Sequence, residues 1–200
     1  MPKTLLFIDA CQRGAEISRT YDLCRAFLQE LARIHPDIRI EHVPLRHLAL
    51  KPYDGERVNH RERLIDEGRL DDAEFAQARA FNQADYLLFG APYWDLSFPA
   101  VLKTYIENIF VRNLNFRYTP EGEPLGLAHG KKAVYITTAG SPIGKEDWGA
   151  GYIKAVVNML GIPQFERISA EGIDIQGWDK EGILQEAREA AIEAARNLEA

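Results

Sequence analysis

Residues 86–103 read YLLFGAPYWDLSFPAVLK, and the rest of the chain is organised around this stretch. Tyr86-Leu87-Leu88-Phe89 is a short apolar run closed by Gly90, the pattern of a strand buried on both faces of a sheet. Ala91-Pro92 ends the run and Tyr93-Trp94-Asp95-Leu96 follows; Ser97 with Pro99 then signals a new helix, because Ser suits an N-cap and Pro the first turn. Two aromatics and a carboxylate therefore fall on a strand-to-helix loop. In open α/β sheets ligands bind at the carboxyl ends of the strands, which is where this loop lies. The competing reading is that Tyr93 and Trp94 plug the top of the core.

Outward from this centre the same alternation repeats. Residues 4–8 form an apolar run ended by Asp9, and Ser18 suits the N-cap of a helix whose Leu23, Phe27, Leu28 and Leu31 recur at helical spacing through Ile34. Residues 38–43 alternate as a second strand. Residues 45–68 carry a weaker, strongly charged pattern with a turn at Pro52-Tyr53-Asp54-Gly55 and read as an excursion over the surface. Residues 71–81 form a helix with acidic residues in its first turn, and residues 99–109 another, with Lys103 and Glu107 paired at i,i+4.

Residues 113–123 read as a hairpin or an ordered loop, and residues 131–138 as a further buried strand followed by the small-residue loop Ala139-Gly140-Ser141-Pro142. Residues 148–160 form a helix closed by Gly161, residues 165–175 hold the last strand signal, and Asp179 opens a final amphipathic helix. Strands alternating with helices five times over imply a five-stranded, doubly wound parallel sheet with helices on both faces, in a single domain spanning 1–200.

Composition narrows the function classes. In 200 residues, 46% hydrophobic and 27% charged content with no long apolar run is that of a globular chain without a membrane span. A net charge of −6 disfavours nonspecific nucleic-acid binding, which needs a basic face to neutralise phosphates. The apolar run at residues 4–8 is too short for a signal peptide, so a cytoplasmic location is expected. Cys11 and Cys24 form no CxxC pair, and the five histidines show no ligand spacing, so no metal site is expected.

Three loops leave strand ends, at residues 9–17, 91–98 and 139–144. In a doubly wound sheet their strands are neighbours, so the loops converge on one crevice suited to a flat, phosphorylated ligand. At Ser18-Arg19-Thr20, free backbone N–H groups, two hydroxyls and a cation suit a phosphate monoester, with Arg13 adding charge; the alternative is that Ser18 simply caps the helix. Gly140 and its small neighbours permit close backbone approach. Cys11 either lines this loop, with its thiol activated by the helix N-terminus, or is a small buried residue.

In the Cys11-Gln12-Arg13 to Ser18-Arg19-Thr20 loop, in GAPYWDLSFPAVLKTYIEN at 90–108, in Phe116-Arg117-Tyr118-Thr119 and in ITTAGSP at 136–142, the chain resembles the flavodoxin-like NAD(P)H oxidoreductases, the quinone reductase and FMN-dependent azoreductase group. The resemblance spans nearly the whole chain. It implies a homodimer holding FMN, or FAD in some members, reduced by NAD(P)H and reoxidised by a small-molecule acceptor such as a quinone or azo compound. Ser18, Arg19 and Thr20 would bind the phosphate, Pro92, Tyr93, Trp94, Asp95 and Leu96 would border the isoalloxazine, and Thr138, Ala139, Gly140 and Ser141 would close its other edge. Cys11 and Arg13 complete the expected cofactor set, and Tyr93 and Tyr118 are candidate substrate contacts.

The chain departs from the family pattern at Asp95, where Asn is usual, at Ser141, where Gly is usual, and at Glu16 beside the phosphate site. An ionised Asp95 facing the flavin would lower its potential. Alternatives to the enzyme are a flavodoxin-type electron carrier and a binding protein of the same fold that has lost the flavin.

Overall fold

The computed structural model describes residues 2–199. Five parallel strands, β1 (Thr4–Asp9), β2 (Arg39–Pro44), β3 (Tyr86–Gly90), β6 (Lys132–Ala139) and β7 (Gln164–Glu171), form one sheet in the order β2-β1-β3-β6-β7. A separate hairpin pairs β4 (Phe116–Tyr118) with β5 (Pro124–Gly126) antiparallel, in the segment where either a hairpin or an ordered loop was expected.

Each central strand carries an apolar run because both of its faces are covered. Leu5, Phe7, Leu88, Val134 and Ile136 point to one side, where they meet Leu23, Cys24, Phe27 and Leu31 of α1 (Arg19–Ile34) and the alanine face of α6 (Lys180–Arg196). Leu6, Ile8, Leu87, Phe89, Ala133 and Tyr135 point to the other. There they meet α2 (Gly55–Asp66), α3 (Ala76–Gln83), α4 (Ala100–Ile109) and α5 (Trp148–Met159). Gly161 follows α5 with φ +97° and accomplishes the expected helix stop, a backbone state that only glycine adopts without strain.

Three local expectations are corrected. Residues 55–66, within the stretch expected as an excursion over the surface with no helix assigned, form α2, capped by the Asp54 carboxylate accepting from Arg57 N–H; the helix buries only Leu64 and Ile65, so its apolar periodicity is faint. The helix expected over residues 71–81 begins later, because Asp72 caps a 3₁₀ turn (Ala73–Phe75) that leads into α3. Ser97 does not cap α4; its backbone pairs with Trp94, and Pro99 takes the N-cap position.

Candidate functional site

The strand order reverses between β1 and β3, which is the switch point at which a doubly wound sheet opens a crevice. Hydrogen bonds beyond the strands lock the three loops together there. Ala10 N–H donates to Gly90 O (2.8 Å), Ala91 N–H to Ile136 O (3.2 Å) and Tyr93 N–H to Thr138 O (2.9 Å). Asp9, buried at the end of β1, turns the first loop by accepting from Cys11 N–H (2.8 Å) and is capped on its other oxygen by His42 Nε2 (3.0 Å). Ser18 caps α1 by accepting from Tyr21 N–H (3.2 Å), and Thr20 and Thr138 share a hydrogen bond of 2.7 Å that ties the helix to β6.

The result is a cleft of about 210 Å³ at the strand ends. From the expected cofactor set it gathers Arg13, Ser18, Arg19, Thr20, Pro92, Tyr93, Trp94, Thr138 and Gly140. The remaining expected residues stand apart from its walls. Ala139 is buried in β6, Ser141 is exposed beyond it, and Asp95 and Leu96 form the exposed tip of a tight turn. In that turn Ser97 N–H donates to Trp94 O (2.9 Å) and Trp94 N–H to Ser97 O (3.1 Å), with φ of +50° at Asp95 and +68° at Leu96. Positive φ at both central residues is the signature of a two-residue hairpin turn that favours Asn-Gly.

Cys11 is buried, its Sγ 3.6 Å from Gly90 O, and is not among the cleft's lining residues. Burial first, and the Asp9 carboxylate second, push its thiol up, which accords with the reading of Cys11 as a small buried residue. Tyr118, exposed on the hairpin against the edge of Phe116, is not among the cleft's lining residues.

Sequence reasoning missed three lining residues. Gln12 falls in the first expected loop but outside the expected cofactor set; its Nε2 is buried with no hydrogen-bond partner among the described residues. A buried amide donor of this kind calls for an acceptor. Ile173 and Asp174 come from the loop after β7, which also carries Gly172, Gly177 and Trp178 but falls within the stretch expected as the last strand and so was not among the three expected strand-end loops. Asp174 accepts from Arg19 Nη1 at 2.8 Å.

The cleft offers one face to a phosphate, at the first turn of α1 before the intrahelical ladder begins. It offers another to a flat ring, between Tyr93, Trp94 and the backbone of Gly140. Burial, followed by the charge of Asp147, raises the Tyr93 phenol, so it stays a protonated donor at neutral pH. Past Gln12 and Trp94 the cleft adjoins a groove of about 420 Å³ floored by Phe98, Pro99 and Val101, and Asp95 belongs to this groove. A larger cavity of about 780 Å³ lies further out, on the α4–α5 face, lined by Phe98, Lys103, Trp148 and Tyr152; it lacks the strand-end backbone that marks the cleft.

The family described as having the flavodoxin-like fold matches residues 3–195. This chain belongs to that family. Among relatives of this flavodoxin-like chain, the FMN-dependent NADH:quinone oxidoreductase 2 of Clostridium acetobutylicum is 34% identical, with 97% of this chain and 98% of the relative covered. Among solved structures, the azoreductase of Bacillus anthracis strain Sterne superposes with a TM-score of 0.88 at 26% identity, covering 98% of this chain and 99% of that one. An FMN-dependent NADH-azoreductase from the Ames Ancestor strain of the same species, solved in complex with FMN, shares the fold with a TM-score of 0.86 at 23% identity, covering 99% of this chain and all of that one.

Proposed function

We propose that this chain is an FMN-dependent NADH:quinone oxidoreductase, which moves two electrons from NADH to a quinone or azo acceptor. The observation that carries this reading is the strand-end cleft, with a helix N-terminus and the Thr20 hydroxyl at one end and an aromatic wall at the other. It stands in a chain that aligns nearly end to end with relatives so named. FMN fits the residues present: the Gln12 Nε2 donor is buried in the cleft wall without a partner among the described residues and calls for an acceptor.

In this reading Ser18, Arg19, Thr20 and the first-turn N–H groups of α1 hold the cofactor's phosphate, with Arg13 adding charge. Pro92, Tyr93 and Trp94 border the ring, and Thr138 and Gly140 close its other edge. When bound, FMN supplies the hydride and two-electron chemistry. The chain's residues orient the reactants, and no protein acid or base is required of them. Tyr93, kept protonated, donates a hydrogen bond towards the acceptor, and the groove floored by Phe98 and Val101 receives an aromatic body. Glu16, Asp95 and Ser141, the departures from the family pattern, lie outside the cleft lining, which favours the enzyme over a protein that has lost its flavin.

A homodimer is part of the proposal, supported by the exposed Trp148 and Tyr152 on the α4–α5 face; light scattering on the purified chain tests it. So are action as a single domain and a cytoplasmic location, with which two buried, unpaired cysteines accord. The activity itself is tested by NADH oxidation with a simple naphthoquinone. Turnover is expected to require added or retained FMN. Thr20→Ala is expected to weaken FMN binding by about tenfold, the scale of one lost hydrogen bond to a charged group. Absence of turnover with FMN present would rule the proposal out.

A further inference from the structure

The ion pair between Arg19 and Asp174 has no part in the function described above, and it sits inside the cleft. Resting on the FMN reading, we infer that Asp174 is a resident counter-anion for Arg19, one that competes with the cofactor's phosphate and so sets how tightly phosphorylated flavin is held.

The carboxylate is placed there by the fold. Asp174 N–H donates to Gly140 O (3.0 Å) and the neighbouring Ile173, itself buried, donates to Ala139 O (3.2 Å), so the loop after β7 is pinned to the end of β6. The third strand-end loop is shaped to admit the side chain: a Cβ at Gly140 would stand 2.7 Å from Asp174 Oδ2. Only glycine leaves that oxygen its position. Asp174 therefore holds one oxygen on Arg19 Nη1 and the other over the Gly140 backbone, both within the wall that also contains Ser18 and Thr20.

The pair is suited to being displaced. Its side chains retain 35% and 66% of their accessibility, so solvent screens it and it holds Arg19 only weakly. A phosphate dianion offers the guanidinium more charge and two parallel acceptors, and wins the competition at a cost. The fixed carboxylate also repels that dianion across the cleft. Riboflavin, which lacks the phosphate, meets neither effect. Asp174 thus lowers the preference of the site for FMN over riboflavin.

The test is a fluorescence-quenching titration of the full chain with FMN and with riboflavin, for the native protein, Asp174→Asn and Asp174→Ala. Both variants are expected to bind FMN about tenfold more tightly and riboflavin unchanged, with the gain shrinking in about 0.5 M salt. Weaker FMN binding in the variants would overturn the inference by making Asp174 a positioning partner of Arg19. An equal shift for both flavins, or no shift, would overturn it as well. If the native protein binds neither flavin, the FMN reading itself fails and this inference with it, an outcome distinct from native FMN binding that the variants leave unaltered.

Discussion

Leu96 holds a left-handed backbone conformation that bulky side chains avoid, with φ +68° at the tip of the Trp94–Ser97 turn and the residue 68% exposed. A left-handed residue of this kind costs about 1–2 kcal/mol, partly offset in a glycine by greater freedom in the unfolded chain. Leu96→Gly is therefore expected to raise stability by about 0.5–1 kcal/mol, a gain of roughly 2–4 °C in Tm per kcal/mol for a chain of this size. Calorimetry of the cofactor-free protein checks it; an unchanged or lower Tm would show that the turn carries no strain. Tyr105 poses the opposite problem inside α4. Its ring is fully buried, its hydroxyl has no partner among the described residues, and burial pushes the phenol up. Tyr105→Phe removes only that hydroxyl, and denaturant titration is expected to find the variant as stable or more stable by about 1 kcal/mol. Cys11 and Cys24 are both buried with thiols pushed up, chiefly by desolvation, so iodoacetamide is expected to label them only after unfolding.

At the scale of elements, α1 is the piece on which fold and site meet. Its inner face packs against β1, β3 and α6, its Ser18 cap opens the proposed phosphate site, and its seam with α6 carries Glu30, bonded to Arg33 of the same helix and Arg196 of α6. Arg33 first and Arg196 second lower the Glu30 carboxyl to about 2 from an ordinary 4.5. Since the folded value lies below the unfolded one, the stabilisation is complete above about 4.5 and is lost as pH falls towards 2. Urea midpoints of the native protein and Glu30→Gln are expected to differ near neutrality and to converge in that acid window. Legibility in the sequence divides along the same lines. α1 was readable because Leu23, Phe27 and Leu31 repeat on one face behind a Ser cap. α2 was not, because a helix that buries only Leu64 and Ile65 shows little periodicity. Ser97 misled for a related reason: a hydroxyl before Pro99 satisfies the rule for a cap, while the actual hydrogen bonds close a turn that the rule does not describe.

For the whole molecule, the apolar runs at β1, β3 and β6 and the alternation of strands with helices were enough to place three loops at one crevice, because a parallel sheet leaves little choice of where its strand ends meet. The walls contributed by those loops, from Ser18 to Gly140, were readable for that reason. Asp174 was not: it enters from a fourth loop, and its approach depends on the missing side chain of Gly140, a contact between distant segments that no local pattern encodes. The proposed activity requires a flavin held in this cleft and reduced there by NADH. The direct measurement is the visible absorption spectrum of the full chain loaded with FMN, freed of excess and titrated anaerobically with NADH. The expected result is a retained flavin band that bleaches in proportion to added NADH and returns when a quinone is admitted. A retained band that NADH leaves untouched would contradict the enzyme and point to an electron carrier, and failure to retain FMN would contradict the reading of the cleft.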